Sequence, residues 1–450
     1  MLTLVAVIAV LSILIFVHEL GHLLAAKAVD IEVPRFSIGF GPRVAGFRIG
    51  ETEYVLSALP LGGYVKMAGM EDDEALEVLE GKGDAEREPS TRDFDSKPLW
   101  ARALVIVAGV TMNFLLAILI YAGLAFFSGE QLDPTTRVAV TEPEQLTGAA
   151  APLAEIPFGA RLEAIGDRPV ESWNDVRRSL FEAPPGPTVF RFADAPPVTL
   201  TLPPRDSARI PVIEALQPLH EPVIGRVEPG YPAAEVGLQP GDRVIAAGGQ
   251  PIRVWSEMVR IISAHPGQPL LLEIERGGQR ISLTVTPRPV ADLDAAGERV
   301  SIGRLGVAPD IQVIHRTYGP GGSLVYGVER TWGFSTLILG FLGGLVTGDE
   351  SPRNLGGPIA IGQLSGQAAR LGLEPFLSFL AIFSINLAIL NLLPIPILDG
   401  GQLLFLGVEA VRGRPLSVEQ RLRFSHLGLI IVVGIMVWAM TNDVLRVFGI

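Results

Sequence analysis

The sequence predicts an α-helical polytopic membrane protein: four transmembrane helices, two β-rich repeats inserted between helices 2 and 3, and a small membrane-associated β-sheet after helix 1. Three observations predict it. Four long stretches carry almost no charge, a strand-rich segment repeats at a constant offset, and the pentapeptide His18-Glu19-Leu20-Gly21-His22 ends the first apolar stretch. Composition agrees. Hydrophobic residues make up 48% of the 450 and mean hydropathy is +0.39, too apolar for a chain without membrane segments. There is no cysteine. Disulfides, thiolate ligands and thiol nucleophiles are excluded, so any metal must be held by His, Asp or Glu. The formal charge of −12 excludes a broad nucleic-acid surface.

Residues 1–26 contain one formally charged side chain, Glu19. A basic leader and a small-residue cleavage site are both missing, so the segment reads as a retained transmembrane helix rather than a signal peptide. His18 and His22 lie four apart, one helical turn, which places two imidazoles on one face at the spacing that holds one metal ion. Glu19 then stands beside the metal as a general base. Ionisable groups at membrane depth are costly, which favours a functional reading over a helix end that merely meets water.

Residues 27–98 are mixed and polar. Arg43–Ile49 and Glu53–Leu59 alternate in strand fashion around Gly50-Glu51, with turns at Gly39–Pro42 and Leu61–Tyr64. They predict a small sheet against the membrane, whose edge could pair with an extended substrate. The acidic run Glu71–Glu80 reads as a solvated loop. Residues 99–129 form the second span, with Asn113 its most polar member. Asn113 either contacts the site or makes an inter-helix hydrogen bond, the commoner case.

Residues 130–290 change character. Gly159–Trp173 aligns with Gly241–Trp255 at an offset of 82 (241 − 159 and 255 − 173), and Gly, Arg, Ala, Gly, Pro and Trp recur in place. Two copies of one β-rich domain follow, over 130–217 and 218–290. The string from Glu228 to Asp242 in the second copy resembles PDZ domains of bacterial membrane and envelope proteases, which bind peptide ends by strand addition. The first copy departs from that pattern at Ala151–Gly159.

Residues 291–370 form a linker in which Ser323–Val346 either spans or lies on the interface. Residues 371–400 hold the third span, Pro375–Leu393, which runs into Asn391-Leu-Leu-Pro394-Ile-Pro396-Ile-Leu-Asp399-Gly400-Gly401. The two prolines break the helix and leave Asp399 on irregular backbone. Residues 401–450 form a loop and the last span, Phe424–Thr441.

Catalytic zinc usually takes three protein ligands. Counting crossings, the second span leads away from His18 and His22, and the third returns Asp399 to their side, provided that Ser323–Val346 does not span. His426 lies on that side too, but the broken helix favours Asp399. Arg412, Arg414, Arg421 and Arg423 follow Asp399, and the segment after the first helix is also basic. Positive-inside reasoning puts the metal side in the cytoplasm and the repeats outside it.

The H-E-L-G-H in the first helix, the N-x-x-P-x-P-x-L-D-G-G string in the third and the tandem PDZ copies between resemble the bacterial site-2 intramembrane metalloproteases, the regulator of sigma-E protease group most of all. The resemblance covers nearly the whole chain. It implies Zn2+ held by His18, His22 and Asp399, Glu19 as catalytic base, and a site shaped for substrate by Asn391, Pro394 and Pro396. Asn386, polar in an apolar helix, is a further candidate for substrate contact. Transmembrane protein substrates are implied, an anti-sigma factor after a first cleavage and remnant signal peptides among them. So are residence in the lipid bilayer of a bacterial inner membrane, PDZ domains on the periplasmic side, and interfacial helices after the second copy. Gln402 stands where many members have His. The competing reading is a catalytically silent, membrane-anchored PDZ adaptor. An ion transporter is disfavoured by the scarcity of intramembrane charge.

Overall fold

The computed structural model describes residues 2–70, 90–203, 206–293, 299–348, 352 and 355–448. The acidic run from Glu71 lies outside them. The chain divides into two compact units, residues 1–129 with 317–450, and residues 130–316.

In chain order the first unit comprises α1 (Leu2–Ala28), β1 (Arg35–Ile49), β2 (Thr52–Lys66), α2 (Leu99–Phe127), α3 (Pro320–Thr347), α4 (Pro358–Leu371), α5 (Leu373–Asn391), α6 (Asp399–Arg412) and α7 (Val418–Phe448). Among the described residues four helices are long and apolar enough to cross a bilayer: α1, α2, α5 and Glu419–Leu445 within α7. Each leaves most of its apolar surface facing outward, as helices solvated by lipid do. The protein is a multi-pass membrane protein. α1 and α2 pack closely because Gly21 has no side chain. A Cβ there would run into Ala108 O and come within 2.7 Å of Met112 Cγ. Small residues of this kind let helix backbones approach where lipid removes the hydrophobic drive to associate.

β1 and β2 are both bent and form one curled sheet. The hairpin turns at Ile49 and Thr52, as the alternation predicts. Arg35–Ile38 pairs with Glu53–Leu56 on one side and with Gly63–Lys66 on the other. The expected turn at Leu61–Tyr64 is therefore largely strand. Glycine there satisfies the bend, Gly62 taking a φ of +121°.

One open alternative narrows and one expectation changes. α3 is one continuous helix that packs on α2, where Phe334 stacks on Tyr121 at 5.9 Å and Gly327 fits against Ile118 O. It is not among the four candidate spans. The segment after Asp399, expected as a loop, is the helix α6. Its Leu403 and Leu406 join a core with Leu23, Phe94, Val105 and Ile106, and that packing outweighs the poor helix propensity of two glycines in its first turn.

The second unit contains the repeat. One four-stranded sheet has the order Arg168–Pro169, Leu162–Ile165, Gly186–Phe192, Val198–Leu202; the other has Gln250–Pro251, Arg243–Ala247, Leu270–Arg276, Gln279–Val285. The corresponding helices begin at Trp173 and Trp255, and each copy has its own apolar core. Strands Glu130–Leu132 and Ile314–Arg316, at the two ends of the unit, pair with each other. The copies differ where the sequence departs: Gly148–Glu155 is a 3-10 helix in the first, against a short α-turn at Pro232–Glu235 in the second.

Candidate metal centre

α1 runs unbroken through His18 and His22, so both side chains emerge on one face, each 8% exposed. Asp399 comes from the opposite end of the chain. α5 stops at Asn391, and Leu392 N–H still bonds Ala388 O at 3.1 Å. Pro394 and Pro396 cannot continue the ladder. The chain turns through Ile395, whose carbonyl accepts from Leu398 N–H at 2.8 Å, and α6 begins at Asp399. Gly400 and Gly401 permit this tight restart. A Cβ at either would collide with the carbonyls of Leu392 and Leu393, or of Ile395. The broken helix thus delivers the carboxylate onto the two imidazoles.

His18 Nε2 lies 3.2 Å from Asp399 Oδ2 and 3.2 Å from His22 Nε2, and His22 Nε2 lies 3.7 Å from Asp399 Oδ1. Zinc bonds of about 2.0–2.1 Å at a tetrahedral angle put ligand atoms about 3.3 Å apart. Among the described residues this is the single group of three or more metal-type side chains whose ligand atoms converge so closely.

Proton bookkeeping also favours a cation. His22 Nδ1 donates to Val105 O at 2.8 Å, which leaves its Nε2 as a lone pair. His18 Nδ1 is 3.3 Å from Asn113 Nδ2, while Asn113 Oδ1 is buried with no partner. Amide nitrogen and oxygen are assigned from such networks. Turned over, Asn113 offers its oxygen to His18 Nδ1–H. Two Nε2 lone pairs then face each other across 3.2 Å. Beside them Asp399 Oδ2, buried and out of hydrogen-bonding line with His18, has no donor. Two imidazole nitrogens and a carboxylate converging within 3.2–3.7 Å of one another fit a positive ion. The residues present suit Zn2+.

Glu19 is half-buried, and its Cγ stands against Gly63, where an added Cβ would lie 3.2 Å away. The sheet therefore reaches the site through Gly63–Lys66, rather than through the hairpin around Gly50. Asn391 Nδ2 is 3.4 Å from His18 Nε2. Pro396 packs where Gly428 of α7 leaves room, and Pro394 is exposed. Among the described residues no hydrogen bond joins Asn386, five positions before Asn391 on α5, to the three-residue group. His426 is exposed on α7 and outside that group. His220 pairs with Asp133 at 2.9 Å and His265 Nδ1 bonds Ile261 O at 2.7 Å, both in the second unit.

Reading residue types missed Gly109. It carries no chemistry, yet a Cβ there would strike His22 Nε2 and sit 2.8 Å from His18 Cε1. Val105 O was invisible for the same reason, being backbone. Its signal lies only in the spacing: Val105, Gly109 and Asn113 recur every four residues along one face of α2.

Comparison with known proteins identifies the family. The sequence profile of peptidase family M50 matches residues 6–435. The regulator of sigma-E protease RseP of Escherichia coli is 36% identical over 462 residues, 98% of this chain and 97% of that one. Protease RseP of Yersinia pestis is 36% identical, covering 99% and 98%. A Ralstonia nicotianae protein, named as a candidate zinc metalloprotease, is 35% identical and covers 100% and 99%. A PDZ domain solved from Listeria monocytogenes covers 20% of this chain and 85% of its own, at 19% identity and a TM-score of 0.16.

Proposed function

The chain belongs to peptidase family M50 and is a zinc metallopeptidase, and from that premise we propose an intramembrane endopeptidase in which His18, His22 and Asp399 hold the metal and Glu19 is the catalytic base. One observation carries the assignment: ligand-type atoms of three residues up to 381 positions apart (399 − 18) converge, two of them on α1, a helix long enough to span a bilayer.

Zn2+ held by these residues would supply Lewis-acid chemistry, polarising a carbonyl and bringing the pKa of water toward about 7. The protein's own groups do the rest. Glu19 takes the proton of the attacking water on its carboxylate and passes it to the leaving amine nitrogen. Val105 O and Asn113 fix the two imidazoles. Asn391, beside His18, is placed to hold the scissile segment, with Pro394, Pro396 and Asn386 shaping the path. A helical substrate hides its carbonyls in i→i−4 bonds and must unwind first. Strand pairing along Gly63–Lys66, next to Glu19, would hold the extended form.

The substrate class is single-pass membrane proteins already trimmed by another protease, an anti-sigma factor foremost and remnant signal peptides second. The metal site faces the cytoplasmic side of the inner membrane. The repeated domains read as periplasmic PDZ modules that filter substrates by size or bind the end left by the first cut. The alternative, a silent PDZ adaptor, has no use for Glu19. The discriminating experiment is Glu19→Gln in the full-length protein. Zinc content should stay at one per chain, while cleavage of a transmembrane reporter falls by about 10²–10⁴-fold. Processing at the wild-type rate would refute the assignment.

A further inference from the structure

The group that presents Asp399 has a second anchor at its far end. α6 runs from Asp399 to Arg412, and Glu409 lies ten residues along it, about 15 Å at 1.5 Å per residue. There Arg102 of α2 grips Glu409 with both arms of its guanidinium, Nη1 reaching Oε2 at 3.2 Å and Nη2 reaching Oε1. The side chains are only 6% and 13% exposed. Asp95 supports the same guanidinium at 3.5 Å and is itself 3.9 Å from Arg421 at the start of α7. Seven residues beyond Arg102, α2 carries Gly109, the contact point of both histidines. α6 is therefore held at both ends: Asp399 meets the histidines packed on Gly109 of α2, and Glu409 meets Arg102 of α2.

We propose that Arg102 and Glu409 are positioning residues, a latch that sets the axial register of α6 so that Asp399 reaches the metal. The other contacts of α6 with this core are made by Leu403 and Leu406. Apolar contacts are non-directional and tolerate sliding along the helix axis. A bidentate Arg–carboxylate pair does not, because two parallel bonds fix both distance and orientation. Stability alone does not account for burying such a pair. An apolar pair of like volume generally serves as well or better, and the best-attested use of a buried ion pair is register. A register error matters here more than elsewhere, since metal ligands must sit within about 0.2 Å of their places.

The inference rests on the zinc reading, and the test separates the two. Full-length protein is purified in detergent as wild type, as the double variant Arg102→Met/Glu409→Met, and as Arg102→Lys, which keeps the charge and loses the fork. Zinc affinity is read by chelator competition, and Tm is measured with and without zinc. The expected result is a metal-free Tm close to wild type for the double variant, zinc affinity weakened about tenfold or more in both variants, and a smaller rise in Tm on adding zinc. Restoration of affinity in Arg102→Glu/Glu409→Arg would add support. If both variants bind zinc as tightly as wild type, the latch is refuted. A fall in Tm with unchanged zinc affinity refutes it too, by assigning the pair a purely structural role. If wild type itself binds no zinc, the metal reading has failed instead.

Discussion

Gly109→Ala sets two opposed effects against each other and lets zinc decide. Alanine at a helix interior is favoured over glycine by about 1 kcal/mol when its methyl has room. At Gly109 it has none, since the added Cβ lies 2.7 Å from His22 Cε1 and 2.8 Å from His18 Cε1. Ordinary contact begins at 3.4 Å, so α2 or the rings must yield by at least 0.7 Å (3.4 − 2.7), and by more at His22 Nε2, the nearest atom. If α2 retreats by that amount, the 2.8 Å bond from His22 Nδ1 to Val105 O stretches to about 3.5 Å, past the useful range. If the rings move instead, they move about three times the 0.2 Å tolerance of a metal ligand. Overpacking costs about 1–3 kcal/mol. Net of the propensity gain, stability falls by only about 0–2 kcal/mol, so the protein should still fold. Zinc affinity should drop about 10–100-fold, and reporter cleavage with it. Gly123→Ala is the internal control: same helix, same exchange, nothing within 4 Å of the new methyl. Zinc content and reporter cleavage are measured on both variants. If Gly109→Ala and Gly123→Ala keep zinc and activity alike, the packing of α2 against the histidines is not what holds the site.

Asn113→Leu removes the partner of His18 Nδ1; zinc affinity by chelator competition should fall about 10–100-fold, and Asn113→Gln should not restore it because the amide is displaced. Asp443 accepts from the backbone N–H groups of Gly357, Ile359 and Ala360, capping α4 from α7. Asp443→Ala should cost about 0.5–2 kcal/mol of local stability, seen as faster amide exchange at those positions. In the second unit, burial alone would raise the Asp242 carboxyl, but Arg276 and the Gln239 N–H hold it below its usual 3.8. A carboxylate lowered by folding contributes stability above its unfolded pKa and loses it as pH falls through the folded one. Arg276→Ala should therefore speed proteolytic nicking of this unit at pH 7, and the effect should shrink as pH is lowered below 3.8. An acid-insensitive effect would break that linkage.

How much of this was legible follows from what sequence patterns encode. His18, Glu19 and His22 declare themselves through helical spacing, and Asp399 through crossing parity and the prolines before it. The repeat is visible because six residue types return at a constant offset. What stayed hidden depends on neighbours distant in the chain. The helix α6 has two glycines in its first turn, a local signal for loop; it is a helix through the packing of Leu403 and Leu406, and the glycines stand there because only glycine fits under the Leu392 and Ile395 carbonyls. Leu61–Tyr64 has turn composition, yet Gly63 and Tyr64 pair with Ile38 and Ser37. Gly63 must be glycine because Ile15 and Glu19 lie above it. Asn113 was visible as an oddity in an apolar helix, but its partner was not.

α2 donates no ligand, and it is nevertheless the element on which the site depends. Helices in lipid gain little from hiding apolar surface, so close packing and inter-helix hydrogen bonds must hold them. At this centre those bonds converge on α2. His22 ties α1 to it through Val105 O, Ser384 ties α5 to it through Asn113 O at 2.8 Å, and Glu409 ties α6 to it through Arg102. The two imidazoles of α1 and the carboxylate of α6 are thus set against a common reference. Moving α2 should shift all three groups at once, whereas trimming an outward-facing residue of α1 should shift none. Substitutions that impair zinc binding without touching a ligand should therefore cluster at Arg102, Val105, Gly109 and Asn113. That is the inward-facing line of α2, whose members lie three or four residues apart.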